Sequence, residues 1–156
     1  MQKDVVEYID NLMALALSHE DTVELRKQLR LADEYESISD YIIVLIKLRN
    51  KINKSGLKFT DQDKAHLSEL HTLVRAYIDN ISEAMKNKDD EILNRALHDG
   101  KLVNQKIKQY RTAHLSRLGT KHGSPILSVF YTDMLSAYRR IKDHAFNIAE
   151  VVAGEK

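Results

Sequence analysis

This sequence predicts an all-α fold, an elongated up-and-down bundle of about five long helices, and three observations support that prediction. Apolar residues recur at helical spacing along every long segment. One proline and five glycines in 156 residues leave most of the chain free to run as uninterrupted helix, and these breakers coincide with capping residues. No segment alternates with period two for long enough to argue a strand.

The elements follow in order. Val5, Val6, Ile9, Leu12, Met13 and Leu17 mark a first helix from about Asp4 to Leu17. Ser18 and Asp21 have the spacing of a capping box, where each side chain satisfies a free backbone N–H of the other, so a second helix starts around Thr22. Its stripe is Leu25, Leu29, Ala32, Ile43 and Ile46. It runs to about Lys54, some 50 Å at the α-helical rise, and Gly56 ends it. Thr60 and Asp63 form another capping box, opening a third helix with the stripe Leu67, Leu70, Val74, Tyr77, Ile81 and Met85. The run Lys86 to Asp90 is the next turn.

A fourth helix, about Asp90 to Leu118, presents Ile92, Ala96, Val103, Ile107, Tyr110, His114 and Leu118, with acidic residues at its start that suit the helix dipole. Gly119 to Gly123 breaks it. Ser124 as N-cap and Pro125 at the first helical position begin the fifth, which carries Phe130, Met134, Ala137, Ile141, Ala145, Ile148 and Val152, with Gly154 just past its end. Long helices on short turns lie antiparallel to bury their stripes.

Composition excludes several function classes. The length is that of one domain, spanning 1–156. Absence of cysteine excludes disulfides, thiolate metal sites and a cysteine nucleophile. A net charge of +1, from 24 basic and 23 acidic residues, offers no field to attract nucleic acid or an anionic membrane. The longest apolar run, Tyr41 to Ile46, is far short of the roughly 20 residues of a spanning helix, so no direct membrane insertion is expected. Asp4 and Glu7 interrupt any signal-peptide pattern, which makes the cytoplasm the expected compartment.

Chemistry-bearing residues cluster in a weak internal repeat. Aligning Asp40 with Asp143 brings Ile38 onto Ile141 and Tyr35 onto Tyr138, both copies lying on long helices. Glu36 and Asp40 are four apart and share a helix face, as do Asp143 and Asn147, so each pair aims two oxygen ligands at one point, the chemistry a hard cation takes. Along the second helix the heptad run Leu29, Ala32, Glu36, Ser39, Ile43, Ile46 puts Glu36 at the position that apolar Leu29 and Ile43 hold one heptad to either side. The plain alternative is a solvated face with ion pairs such as Arg140 to Asp143. A hydrogen bond to a neighbouring helix is the matching alternative for Asn147.

These segments resemble the two signature helices of the PhoU family of phosphate-transport regulators, whose copies read approximately Arg-x-Leu-Glu-Arg-Ile-Gly-Asp-His-Ala-x-Asn-Ile-Ala-Glu. Asp143 to Glu150 fits this closely, and Ala32 to Tyr41 more loosely. The resemblance implies two three-helix repeats, of which five helices are visible with the missing one at the start, as in a domain excised from a longer chain. It further implies regulation of phosphate uptake and a divalent or ferric metal ion at Glu36, Asp40, Asp143 and Asn147. Two departures bear on that: Arg139 stands where the pattern has glutamate, and Val44 where it has asparagine. The first pair is therefore expected to hold a cation before the second. The stretch Asn104 to Gly119, with Tyr110-Arg111, His114 and Arg117-Leu118, resembles the PhoU-like region that follows the membrane part of bacterial sodium/phosphate cotransporters. That implies a cytoplasmic domain at the inner face of the plasma membrane, partnered in cis or in trans with the membrane portion of a transporter.

The alternative is a free-standing helical adaptor or scaffold without metal. In either case the absent helix leaves an apolar flank uncovered, through which a homodimer is expected. His114 and His144 fall on or beside apolar stripes, the usual place of packed, hydrogen-bonded histidines. His98 with Lys101 has part of a phosphotransfer signature, but Leu102 stands where glycine belongs. Phosphate-cradling glycine loops, nucleophile elbows and His-Glu-x-x-His zinc motifs are missing, so neither a catalytic nor an organic-cofactor site is expected.

Overall fold

The computed structural model describes residues 2–13, 18–118 and 124–154. These form α1 (Gln2–Met13), α2 (His19–Lys54), α3 (Asp61–Lys86), α4 (Ile92–Leu118) and α5 (Pro125–Ala153), with no strand among the described residues. The fold is the all-α bundle expected. The Leu17 end of the first segment and the break at Gly119 to Gly123 lie outside the described residues.

Local chemistry sets the helix ends. Ser18 Oγ accepts from the Asp21 N–H while the Asp21 carboxylate accepts from the Ser18 N–H, a complete capping box that starts α2 at His19 rather than near Thr22. Thr60 caps α3 by accepting from the Asp63 N–H at 3.1 Å. Gly56 and Gly154, at φ of 68° and 78°, take the left-handed conformation that turns the chain out of α2 and α5. The α3–α4 turn passes through Lys88 at φ 51°. Because α4 begins at Ile92, Asp89, Asp90 and Glu91 precede it, and Asp89 Oδ1 accepts from the Glu91 N–H at 2.9 Å.

Helix α5 is the axis of the bundle. It packs against α2, α3 and α4, whereas α2 and α3 do not pack on each other and α1 packs on α2 alone. Cross-contacts give the directions. Asp63 meets the end of α4 and Tyr77 donates to the Ala96 carbonyl near its start, so α3 and α4 are antiparallel. Pairing of Glu34 with Asn147 and stacking of Tyr41 on His144 make α2 antiparallel to α5. This central position explains why α5 is buried on more than one face, through Tyr131, Leu135, Tyr138, Ile141, Ala145 and Ile148 among others.

The expected stripes of α3 and α4 are the observed ones: Leu70, Val74, Tyr77 and Ile81 face Ala96, Val103, Ile107 and Tyr110 in one core. That of α2 is corrected. Its buried seam is Leu31, Ile38, Leu48 and Ile52, with Tyr41 and Leu45 packed beside them, whereas Ile43 and Ile46 are exposed. The helix docks on α5 through the frame 31, 34, 38, 41, 45, 48, 52, two positions on from the frame that contains Glu36. Both frames have the three-four spacing of a packing seam.

Candidate functional site

The seam of α2 places Glu34, not Glu36, against the signature stretch of α5. Glu34 is partly buried, its side chain 13% exposed. His144 Nδ1 donates to Glu34 Oε2 at 2.7 Å, since a carboxylate can only accept. Asn147 Nδ2 reaches both carboxylate oxygens at 3.1 Å. Tyr41, two turns along the same seam, stacks on the His144 ring at 5.7 Å between centroids. One carboxylate thus clasps two residues of the signature, and the helical spacing of 34, 41, 144 and 147 brings them to one joint.

Asp143 faces another way. It pairs with Lys142, a largely buried lysine, and with Arg139 Nε at 4.0 Å. Next to Lys142 lies Gly100 of α4, where a methyl group would meet the Tyr77 hydroxyl at 3.3 Å and Lys142 Cδ at 3.4 Å. Absence of a side chain there lets α4 approach α5. Tyr77, buried in this corner, has its phenol pushed up chiefly by burial, with Asp99 and Asp143 adding to it.

The four residues singled out as metal ligands are placed as follows. Glu36 and Asp40 are exposed on α2, four residues apart, off the seam that meets α5. Two carboxylates supply part of the six or more oxygens that a hard cation takes, so this pair fits a cation that keeps most of its water. Asp143 already meets two cationic side chains, which a metal ion there would have to displace, and Asn147 is engaged with Glu34. Among the described residues, no three histidine, aspartate or glutamate side chains stand together in a way that would hold a metal ion.

A second polar cluster closes the far end of the bundle. Asp63, buried, receives the Thr60 hydroxyl at 2.8 Å, His114 Nδ1 at 3.1 Å and the Arg117 guanidinium. Burial would raise its carboxyl, but the hydrogen bonds from Thr60 and His114 together with the nearby positive charge outweigh it and hold the group below the ordinary value. The His114 ring stacks on Tyr131 and His66 stacks on Tyr110, each at 4.2 Å. These rings and Asp63 tie the α3 start, the α4 end and α5 together. His114 is the packed, hydrogen-bonded residue its place on the stripe suggested. His98 lies exposed on α4.

Sequence reasoning found the signature on α5 and Thr60 as the cap of α3, but it gave Asp63 the second half of a capping box, whereas the Asp63 carboxylate takes the Thr60 hydroxyl, His114 and Arg117, and it missed Glu34. The available signal was the tyrosine-containing frame 31, 34, 38, 41, 45, 48, 52, in which Glu34 is the one charged position.

Compared with known proteins, residues 67–152 match the model of the PhoU domain family, from within α3 to the end of α5. No curated protein and no solved structure matches the chain. Among the described residues, no helix is long and apolar enough to cross a membrane.

Proposed function

The chain belongs to the PhoU family, and on that footing we propose that it is a non-catalytic regulatory domain that modulates phosphate transport by contact with a membrane transporter. The observation that carries this reading is the match over residues 67–152, which includes the whole of Asp143 to Glu150. In the finer form of the proposal the domain lies on the cytoplasmic side of a sodium/phosphate cotransporter and is attached to it. The likeness of Asn104 to Gly119 to that region supports this form. Tyr110, His114 and Arg117 of that stretch belong to the Asp63 cluster, so they act by holding the bundle's end in shape.

Regulation by contact needs a rigid body with a defined outer face, and the α2–α5 clasp provides one. Glu34 holds His144 and Asn147 inward, leaving Glu36 and Asp40 outside, where a cation or a partner's basic side chain can meet them. The test is phosphate uptake in cells carrying the transporter with and without this domain, at high and at low phosphate. Transport is expected to persist without it but to change in rate or in its response to phosphate supply. Identical uptake in every condition refutes the reading.

A second reading, a free-standing helical adaptor without metal, draws on an apolar groove between α2 and α3, lined by Ile42 and Ile46 of α2, Val74 and Ile78 of α3 and Met134 of α5. Pull-down with the membrane portion of the transporter separates the two: capture supports the first, and failure to capture a folded chain supports the second.

A further inference from the structure

Between α2 and α3 the bundle is open. The two helices flank α5 without packing on each other, leaving a groove of about 830 Å³. Its walls are apolar, with Ile42 and Ile46 on α2, Val74 and Ile78 on α3, and Met134 and Ile141 on the α5 floor. Ile42 and Ile46 are 43% and 53% exposed, although they are large aliphatic side chains well inside a long helix. The volume falls within the roughly 300–1,000 Å³ of small-molecule sites, which pair an apolar lining with a few placed polar groups.

The polar groups of this groove are unevenly placed. Residues 55–60 join α2 to α3, so the groove has a loop end and a far end. At the far end Arg75 pairs with Asp79 at 3.6 Å. On the α3 side of the loop end Lys64 pairs with Asp61 at 2.9 Å. Between the two ends Tyr138 and His71 hydrogen-bond to each other at 3.3 Å. Arg49 and Lys58, which line the loop end beside Leu57 and Phe59, have no carboxylate partner among the described residues. The groove is therefore an apolar trough with unanswered positive charge at one end.

That asymmetry selects the ligand. A molecule with an anionic head and an apolar tail answers both features, whereas a cationic head would be repelled and an uncharged apolar molecule would leave the two cations unused. Arginine takes a carboxylate through two parallel hydrogen bonds. Along α2 the groove runs from Ile42 to Asn53, about 16 Å at the helical rise, so the tail has to be long and linear.

We propose that the groove between α2 and α3 binds a long-chain fatty acid, its carboxylate at Arg49 and Lys58 and its alkyl chain laid over Ile141 toward Ile42 and Ile78. The tail covers Ile42 and Ile46, which none of the described helices covers. This inference goes beyond the regulatory reading and does not depend on it, because binding is measured without any transporter.

Calorimetric titration of the full chain with dodecanoate, kept below its micelle concentration, tests it. Saturable binding is expected, with amide NMR shifts centred on Ile46, Lys58 and Ile78. Dodecyltrimethylammonium carries the same tail with the opposite charge and should bind about tenfold more weakly, a comparison made on the unaltered chain. Because the trough covers one side of the tail, decanoate should bind about fourfold more weakly than dodecanoate. Arg49→Glu and Lys58→Glu, both at exposed positions, should each weaken dodecanoate binding about tenfold. Ile46→Asp should abolish it, with the circular dichroism spectrum of each variant unchanged. Absence of saturable binding overturns the proposal and leaves the groove to a helix of another protein. Equal affinity for the two head groups, or shifts gathered in the α1–α2 cleft instead, also overturns it.

Discussion

Glu34→Ala removes the acceptor that His144 and Asn147 share at the α2–α5 joint. The His144 bond goes to a charged group, worth about 1.5–3 kcal/mol, and the Asn147 contact adds about 1 kcal/mol. His144 is 24% exposed on its side chain, so water re-enters part of the joint and the net loss should be about 2–3 kcal/mol. For a domain of this size that lowers the melting temperature by about 4–12 °C. Urea unfolding followed by far-UV circular dichroism measures the loss, and hydrogen exchange locates it, with protection falling first along residues 31–48 of α2. Glu34→Gln keeps one acceptor oxygen and loses the charge, so it should cost about half as much. Glu36→Ala, two residues away and exposed, should stay within about 0.5 kcal/mol of wild type. Equal effects at positions 34 and 36, or a change below about 0.5 kcal/mol for Glu34→Ala, would refute the seam assignment and the clasp with it.

Asp63→Asn should cost about 3–5 kcal/mol, because it leaves His114 and Arg117 facing a neutral group in a buried corner; urea titration reads the loss directly. Stability should fall in two stages as pH drops. His66 is depressed from 6.5, by burial first and Arg117 second, so its share is complete above 6.5 and is lost as pH falls below it. Asp63 is depressed from 3.8, so its share is complete above 3.8 and is lost as pH falls through its lower folded value. Urea midpoints measured against pH should lose the upper stage in His66→Gln and the lower one in Asp63→Asn. Elemental analysis of protein prepared without chelator tests the exposed carboxylate pair: Asp40→Ala should lower the metal content and Asp143→Ala should not. Equal content in wild type and Asp40→Ala removes that site.

The sequence by itself determined the secondary structure and most of the core. Helix ends are local chemistry, so the Ser18–Asp21 box, Thr60 as the cap of α3, the start of α5 at Pro125 and the two left-handed glycines could be read in place, although Asp63 does not complete a box with Thr60 and Ser124 makes no side-chain cap bond. The stripes of α3 and α4 were legible because their buried apolar residues recur at three-four spacing, although α4 also exposes Leu97, Leu102 and Leu115. The Asp143 to Glu150 signature was equally plain, being contiguous on one helix.

Tertiary structure decided the rest, and α2 shows why. Its run Tyr41-Ile42-Ile43-Val44-Leu45-Ile46 is apolar on every side, so two heptad frames fit it equally well, one holding Glu36 and the other Glu34. Periodicity cannot choose between frames when the helix has no polar face at that point. Docking on α5 chooses, because the frame of Leu31, Ile38, Leu48 and Ile52 sets Glu34 opposite His144 and Asn147, whose hydrogen bonds satisfy a carboxylate that burial would otherwise penalise. The other apolar side chains of that run, Ile42 and Ile46, are left lining an open groove, since none of the described helices packs between α2 and α3. Which residues of a helix meet a partner more than a hundred positions away in sequence is a property of the packed bundle, and no local rule carries it.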